Sequence, residues 1–322
     1  MAQQRGSATK ILIAKESSFK VAATGGQTHV LPFVSESVRY NRNLLTSKTL
    51  RVNRNAIKPV RGQVDVAGDI NFELSPEYGK LLHQVFGSYT AISGGGGGIH
   101  TFKIGDLPSF TMEKQFTDLA TAQYFKYIGC KVNSFKFSVK PEGFIDSSVS
   151  ILGAQEATAG TSFDANPTDL GIQPFDGFGC TIKQGGTLLG VATQMDLTIE
   201  NNLDGNSFVI DGTGERHALP DGRVKVSGTL TALFEDMALY TLAKNNTETS
   251  LEIAFTNGTG AGTLGNEKLT FFLDEVLLKP QAPVVAGPQG VLVELPYEAY
   301  YNDGADATTC MAVLYSTALW YD

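Results

Sequence analysis

Cysteine is scarce in this chain of 322 residues: there are three, Cys130, Cys180 and Cys310, at no CxxC spacing. That count excludes a disulfide framework and offers no zinc site. Histidine numbers only four, with none paired at HxH or HxxxH spacing, so convergent metal ligands are not supplied. No GxSxG elbow occurs, and Cys130 in YIGCKVNSF reads as a buried thiol rather than a nucleophile. The glycine tract Gly94 to Gly98 is followed by Ile99 and His100, not by the lysine and hydroxyl residue a phosphate loop needs. It is expected to be a hairpin tip. No run approaches 18 consecutive apolar residues, which excludes a spanning helix. Charged residues break KILIAKESSFK before a signal-peptide core can form, so a soluble, unexported chain is expected. No catalytic, cofactor-binding or metal-ligating residue is assigned, and no enzymatic role is expected.

What is present is β-forming. Hydrophobic residues make up 42%, enough to bury a core, and 35 glycines punctuate short apolar runs. In Gln63–Leu74 the residues Val64, Val66, Ile70, Phe72 and Leu74 share one face of a period-2 pattern, the signature of a half-buried strand. Similar runs surround Val132, Val149, Ile182, Leu197 and Phe271, spaced as in antiparallel β structure. Helical signals are few. Ser75-Pro76-Glu77 provides a cap and first turn, Tyr78, Leu81, Leu82, Val85 and Phe86 form one helical face, and Gly87 can close it. His83 is expected on the polar edge of that helix and His100 beside a loop.

The pattern repeats. Gly62-x-Val64-x-Val66-x-Gly68-x-Ile70 recurs as Gly222-x-Val224-x-Val226-x-Gly228-x-Leu230, an offset of 160. Each run leads into a helix, the second through Glu235 and Asp236 into Met237–Lys244. Upstream, Tyr40–Leu44 parallels Ile199–Leu203 at an offset of 159, and the strands around Val132 and Val149 have counterparts around Val276 and Val291. The aperiodic stretch 156–174, rich in Ala, Gly, Thr, Asp and Pro, is expected to link two units, 1–155 and 175–322.

Charge is unevenly placed. Arg39, Arg42, Lys48, Arg51, Arg54, Lys58 and Arg61 follow one another with no acid between them. Removing these seven leaves 18 basic against 33 acidic residues, a balance of −15 on a chain of net −8. Lying between two strands, the basic segment is expected to be a hairpin arm reaching about 30 Å from the sheet, ordered against another subunit. The matching stretch of the second unit carries Asp204, Asp211, Glu215 and Asp221 against Arg216 alone. Arms of opposite sign point to complementary contacts across an interface.

Four segments carry a resemblance: LPFVSESVRYNRNLL (Leu31–Leu45), GQVDVAGDINFELSPEYGKLLHQVFG (Gly62–Gly87), FKYIGCKVNSFKFSV (Phe125–Val139) and GRVKVSGTLTALFED (Gly222–Asp236). Together they resemble the major tail tube protein of long, non-contractile-tailed bacteriophages, whose fold is shared by the tube of type VI secretion. The resemblance implies a tail-tube-like β-sandwich or barrel fold with one flanking α-helix and a long hairpin arm; simple members of that family have one such fold per chain, and the internal repeat makes this a mainly β chain of two such units in tandem. It also implies a virion protein, assembled in the host bacterial cytoplasm into stacked rings of six folds through which DNA passes without specific binding. The implied partners are other copies of the chain, a tape measure protein and tail terminator or distal tail proteins, with no membrane. Two folds per chain would give a trimeric ring of pseudo-sixfold symmetry. A hexamer with the second half as outer decoration, and a β-sandwich binding module with an exposed aromatic platform, remain the alternatives.

Overall fold

The computed structural model describes residues 3–26, 28–50, 52, 54–94, 97–285, 287–304, 306–318 and 321. Alternating apolar and polar residues dictate the architecture: nineteen strands and two α-helices are described, and all pairings between the strands are antiparallel. The first half contains β1 (Lys10–Lys15), β2 (His29–Val30), β3 (Ser35–Glu36), β4 (Arg39–Leu45) and β5 (Val60–Glu73). After α1 (Gly79–Phe86) come β6 (Gly87–Gly94), β7 (Gly97–Ile104), β8 (Phe110–Phe116), β9 (Gln123–Val139), β10 (Asp146–Gly153) and β11 (Gln155–Ala159). The second half contains β12 (Cys180–Gln184), β13 (Thr187–Leu188), β14 (Ala192–Glu200) and β15 (Lys225–Leu233). It ends with α2 (Ala238–Lys244), β16 (Thr249–Thr256), β17 (Lys268–Leu278), β18 (Leu292–Ala299) and β19 (Met311–Ser316).

One row of eight strands runs β4-β5-β10-β9-β14-β15-β18-β17. The long β9 serves two neighbourhoods. Its early residues pair with β8 and β11, and its later ones with β10 and β14. Corresponding registers occur in both halves. Arg39 faces Ala67 as Thr198 faces Ser227, offsets of 159 and 160. Ile70 faces Val149 as Leu230 faces Leu295, offsets of 160 and 146. Val132 faces Ile151 as Leu278 faces Tyr297, both offset by 146, so the counterparts of Val132 and Val149 stand at Leu278 and Leu295. Glu113 faces Lys126 as Glu252 faces Phe272, offsets of 139 and 146. The β6–β7 hairpin has no such counterpart among the described residues, and β7 instead pairs with β19 of the other half. Its flanks meet at Gly94 opposite Gly97; the tip residues between them lie outside the described residues.

The glycines of the repeat stand where backbone approaches closely. A Cβ on Gly68 would collide with Val38 and the carbonyl carbon of Ser37, and one on Gly228 with the carbonyl oxygen of Asp196. Ser37 and Asp196 are themselves offset by 159.

Between the halves the core is shared. Phe271 of β17 lies 5.0 Å from Phe137 of β9, ring centre to ring centre, and 6.4 Å from Phe86 of α1. The Ser75 hydroxyl caps the chain entering α1 by accepting from the Glu77 amide at 3.2 Å, and Gly87 ends the helix at φ 88°. All eight residues of α1 are buried. His83 is therefore inside rather than on a polar edge, because structure covers the helix on every side. His100 is likewise interior, held by the Tyr89 hydroxyl and the Ala318 carbonyl at 2.9 Å each. Residues 156–159, placed by sequence at the start of the linking stretch, belong to β11. Further along that stretch, the Ile172 amide donates to buried Glu77 at 2.6 Å; burial pushes the Glu77 carboxyl pKa up.

Candidate assembly surfaces

The row of eight strands has one apolar and one polar face, because successive side chains alternate. Opposite-strand pairs place polar groups in ranks across it. Glu73, Asp146, Ser138, Asp196 and Thr229 make one rank, and Asn71, Ser148, Lys136, Thr198, Ser227 and Glu298 the next. On this face Asp65, Asp69, Glu73, Asp146, Asp196, Glu200, Glu294 and Glu298 stand against Arg39, Lys136 and Lys225. Lys131, in one rank with Arg39, Ala67 and Leu152, and Lys279, paired with Glu298 at 3.4 Å, share the face, and acids still outnumber bases on it. All these charged groups are exposed or half-buried. The face is thus broad, hydrophilic and acidic.

The seven basic residues lie on and beside the connection from β4 to β5. Arg39 and Arg61 are exposed on the two strands, and Lys48, Arg54 and Lys58 are exposed between them. Arg42 turns inward to donate to the Gly62 carbonyl at 2.9 Å and the Thr213 carbonyl at 3.1 Å. Arg51 lies outside the described residues, as does Trp320. Residues 46–59, between β4 and β5, form no strand or helix where described, and none of the described ones is buried. Leu44, Leu45, Leu50, Val52 and Val60 are exposed on the same hairpin, Leu50 at 96%. Full burial of such a side chain contributes about 1.5–3 kcal/mol, so a partner surface covering this hairpin would gain substantially.

The acidic stretch behaves differently. Residues 201–224 connect β14 to β15 and lie back on β5, where the Val64 amide donates to the Gly214 carbonyl at 2.7 Å. Arg216 holds the stretch in place. Its guanidinium is buried and donates to the carbonyls of Gly205 (2.8 Å), Gly153 (2.7 Å) and Val66 (3.1 Å), and pairs with Asp65. Glu215 pairs with Lys20 at 2.8 Å, and Asp221 with Lys131 at 2.7 Å. Asp204 and Asp211 accept from the amides of Asn206 and Thr213 within their own turns. Those bonds from the Thr213 amide and hydroxyl hold the Asp211 carboxyl pKa below its usual value. The two charged stretches meet inside one chain at Arg42 and Thr213, through a backbone carbonyl rather than a carboxylate. In the sequence Arg216 stands out only as a lone base among acids, and that oddity is the available signal of its anchoring part.

The thiols are not poised for chemistry. Cys130 and Cys310 are buried, burial pushes both thiols up, and the Cys180 thiol is pushed up to about 12 for the same reason. Among the described residues no group of three or more His, Cys, Asp or Glu is placed to hold a metal ion, and no helix is long and apolar enough to cross a membrane.

Compared with known proteins, residues 6–299 match a family model described as phage tail tube protein. The comparison with curated proteins gave no match.

Proposed function

The chain belongs to the phage tail tube protein family, structural components of the virion tail, and we propose that it builds the tube as stacked trimeric rings of pseudo-sixfold symmetry that conduct DNA. In this reading residues 1–155 and 175–322 are equivalent units joined by 156–174, so three chains supply six. The observation that carries it is the shared register: four strand pairings of the first half recur in the second at offsets that hold within each strand. Equivalent units placed side by side through β9 and β14 already make one-third of a closed ring.

The polar face of the eight-strand row would then line the bore. Duplex DNA carries about one negative charge per 1.7 Å, so a lining on which acids outnumber bases repels the phosphates and prevents tight binding. The basic hairpin would leave the bore and order against an adjoining subunit, where its leucines and valines gain cover. Asp204 and Asp211, still exposed, remain candidates for the complementary surface, whereas Glu215 and Asp221 have partners within the chain. Assembly would take place in the host bacterial cytoplasm, with the tape measure protein inside and tail terminator or distal tail proteins at the ends.

Negative-stain microscopy of the purified protein tests this directly. Tubes whose rings contain three chains support the reading, and rings of six chains would favour the second half as an outer decoration. Reversing Lys48, Arg54 and Lys58 to Glu together should abolish or shorten tubes while the protein stays folded; tubes of unchanged length would refute the arm's part in assembly.

A further inference from the structure

The two halves differ in chemistry at positions where their registers match closely. Phe110 and Met112 of β8 flank an irregularity against β9, and Thr249 and Leu251 of β16 flank the same irregularity against β17 at an offset of 139. Just beyond it Lys114 faces Phe125 as Ile253 faces Phe271. Lys114 therefore corresponds to Ile253, and Tyr127 of β9 to Leu273 of β17. On the neighbouring strands Glu36 faces Ile70 as Met195 faces Leu230, so Glu36 corresponds to Met195 and Val38 to Leu197.

In the second half these positions are apolar. Met195, Leu197, Ile253 and Leu273 are fully buried beside the β9–β14 seam, where Leu197 faces Phe137. In the first half two of them carry charge. The Lys114 ammonium, on a side chain only 8% exposed, meets both Glu36 oxygens at 3.0 Å, donates to the Val38 carbonyl at 2.5 Å and lies 5.0 Å from the centre of the Tyr127 ring. Val38 itself is fully buried. The fold accepts aliphatic side chains at these places, as the second half shows, and a buried ion pair seldom adds stability over such a replacement. Stability alone therefore does not account for the pair.

The carbonyl that Lys114 meets supplies another reason. Across the seam the Asn201 amide donates to the Asn133 carbonyl at 2.8 Å, and bonded pairs recur at every second residue, so the Leu197 carbonyl accepts from the Phe137 amide. At the corresponding border of the first half the Ser37 amide donates to Asp69 of β5 at 2.9 Å, which turns the Val38 carbonyl away from β5. The Lys114 ammonium thus stands where the seam has a backbone amide. Inward-turned charge at a sheet border is one way natural sheets avoid wrong pairing.

Resting on the ring-building reading, we propose that Lys114 and Glu36 form a removable cap on this border, an autoinhibitory contact that holds unassembled chains apart and opens when a second copy seats there. While the chain is alone the cap satisfies the Val38 carbonyl and keeps Val38 covered. Opening it requires no change of backbone, because the ammonium rides on a flexible four-carbon stem and the Glu36 side chain, 16% exposed, is within reach of water. Parting a nearly buried pair is costly, so a single weak encounter leaves the cap shut and only a contact that forms many bonds together displaces it.

Assembly of the full chain across a concentration series tests the cap. The Glu36→Met/Lys114→Ile variant gives the border the two residues that the seam has at those places. Pelleting and negative-stain microscopy should find its tubes, of unchanged diameter, at a concentration at least about tenfold lower than the unaltered chain needs. Lys183→Ile/Glu252→Met removes a Lys–Glu pair of the second half, 2.8 Å apart, and should leave that concentration unchanged. Tubes from the border variant alone support the cap and the ring-building reading together. With tubes formed by the unaltered chain, an unchanged concentration for the border variant, an equal fall in both variants, or amorphous aggregate in place of tubes overturns the cap and leaves the ring-building reading standing. Should the border variant not fold, Glu36→Gln decides, because it keeps the shape of the side chain and loosens the hold on the ammonium: a lower concentration supports the cap and an unchanged one overturns it. Unaltered and variant chains that stay folded and never form tubes overturn the ring-building reading, and the cap with it.

Discussion

The connections from β4 to β5 and from β14 to β15 occupy matching places in the two halves, yet one stands away from the protein and the other lies on it. Residues 201–224 are fastened by Arg216, by buried Leu219 and by ion pairs of Glu215 and Asp221 with the first half. Residues 46–59 contain no buried residue among those described, and Leu50 and Val52 within them are fully exposed. The difference follows from neighbours rather than from local chemistry. The second connection has the first half beside it across the β9–β14 seam, whereas the first connection has only solvent on the corresponding side. Contacts made within the chain thus order one connection and leave the other uncovered.

Replacing Arg216 should disturb this contrast most. Arg216→Met removes a buried charge, leaves three carbonyls without their donor and should lower unfolding stability by about 3 kcal/mol. Denaturant titration reads the loss; a change below about 0.5 kcal/mol, typical of surface positions, would mean the connection is not anchored there.

Next come the glycines at the roots of the two connections. A Cβ on Gly222 would run into the Asn202 carbonyl, whereas one on Gly62 would sit 3.1 Å from the Asn43 carbonyl. Gly222→Ala should cost about 2 kcal/mol and Gly62→Ala under about 1 kcal/mol, in line with overpacking penalties. Equal losses in thermal unfolding would erase the distinction between a tight root and a loose one.

The smallest effect belongs to Asp211. Its folded pKa is depressed, so its contribution is present above its ordinary value of 3.8 and lost as pH falls through the folded value. Asp211→Asn should therefore speed amide exchange at Thr213 at neutral pH, with the gap to the unaltered protein closing in acid and no measurable change in global stability. A gap independent of pH would assign the turn to backbone geometry instead.

Much of the framework was legible in the order of residues. Alternation at Val64, Val66, Ile70 and Phe72 marked β5, Ser75 and Gly87 marked the ends of the first helical segment, and the repeated glycines marked the recurrence of β5 in the second half, though not the close backbone approaches they permit. The placement of His83 and His100 was not legible, because a histidine's burial depends on what covers it from elsewhere in the chain. The anchoring by Arg216 was equally hidden, since Gly153, Val66 and Gly205 are brought to it from three distant segments. Gly-rich tract 94–98 revealed a hairpin, but nothing local revealed that β7 would pair with β19 more than 200 residues later.

By itself the sequence determined the β class, the duplicated pattern and the uneven distribution of charge, because side-chain alternation and glycine spacing act over a few residues. The tertiary structure alone decided that polar side chains of seven strands would share one acidic face, that one charged connection would be fastened and the other left exposed, and where the strand row ends. Those outcomes depend on pairing between segments far apart in the chain, and backbone hydrogen bonds carry no sequence label that names their partner.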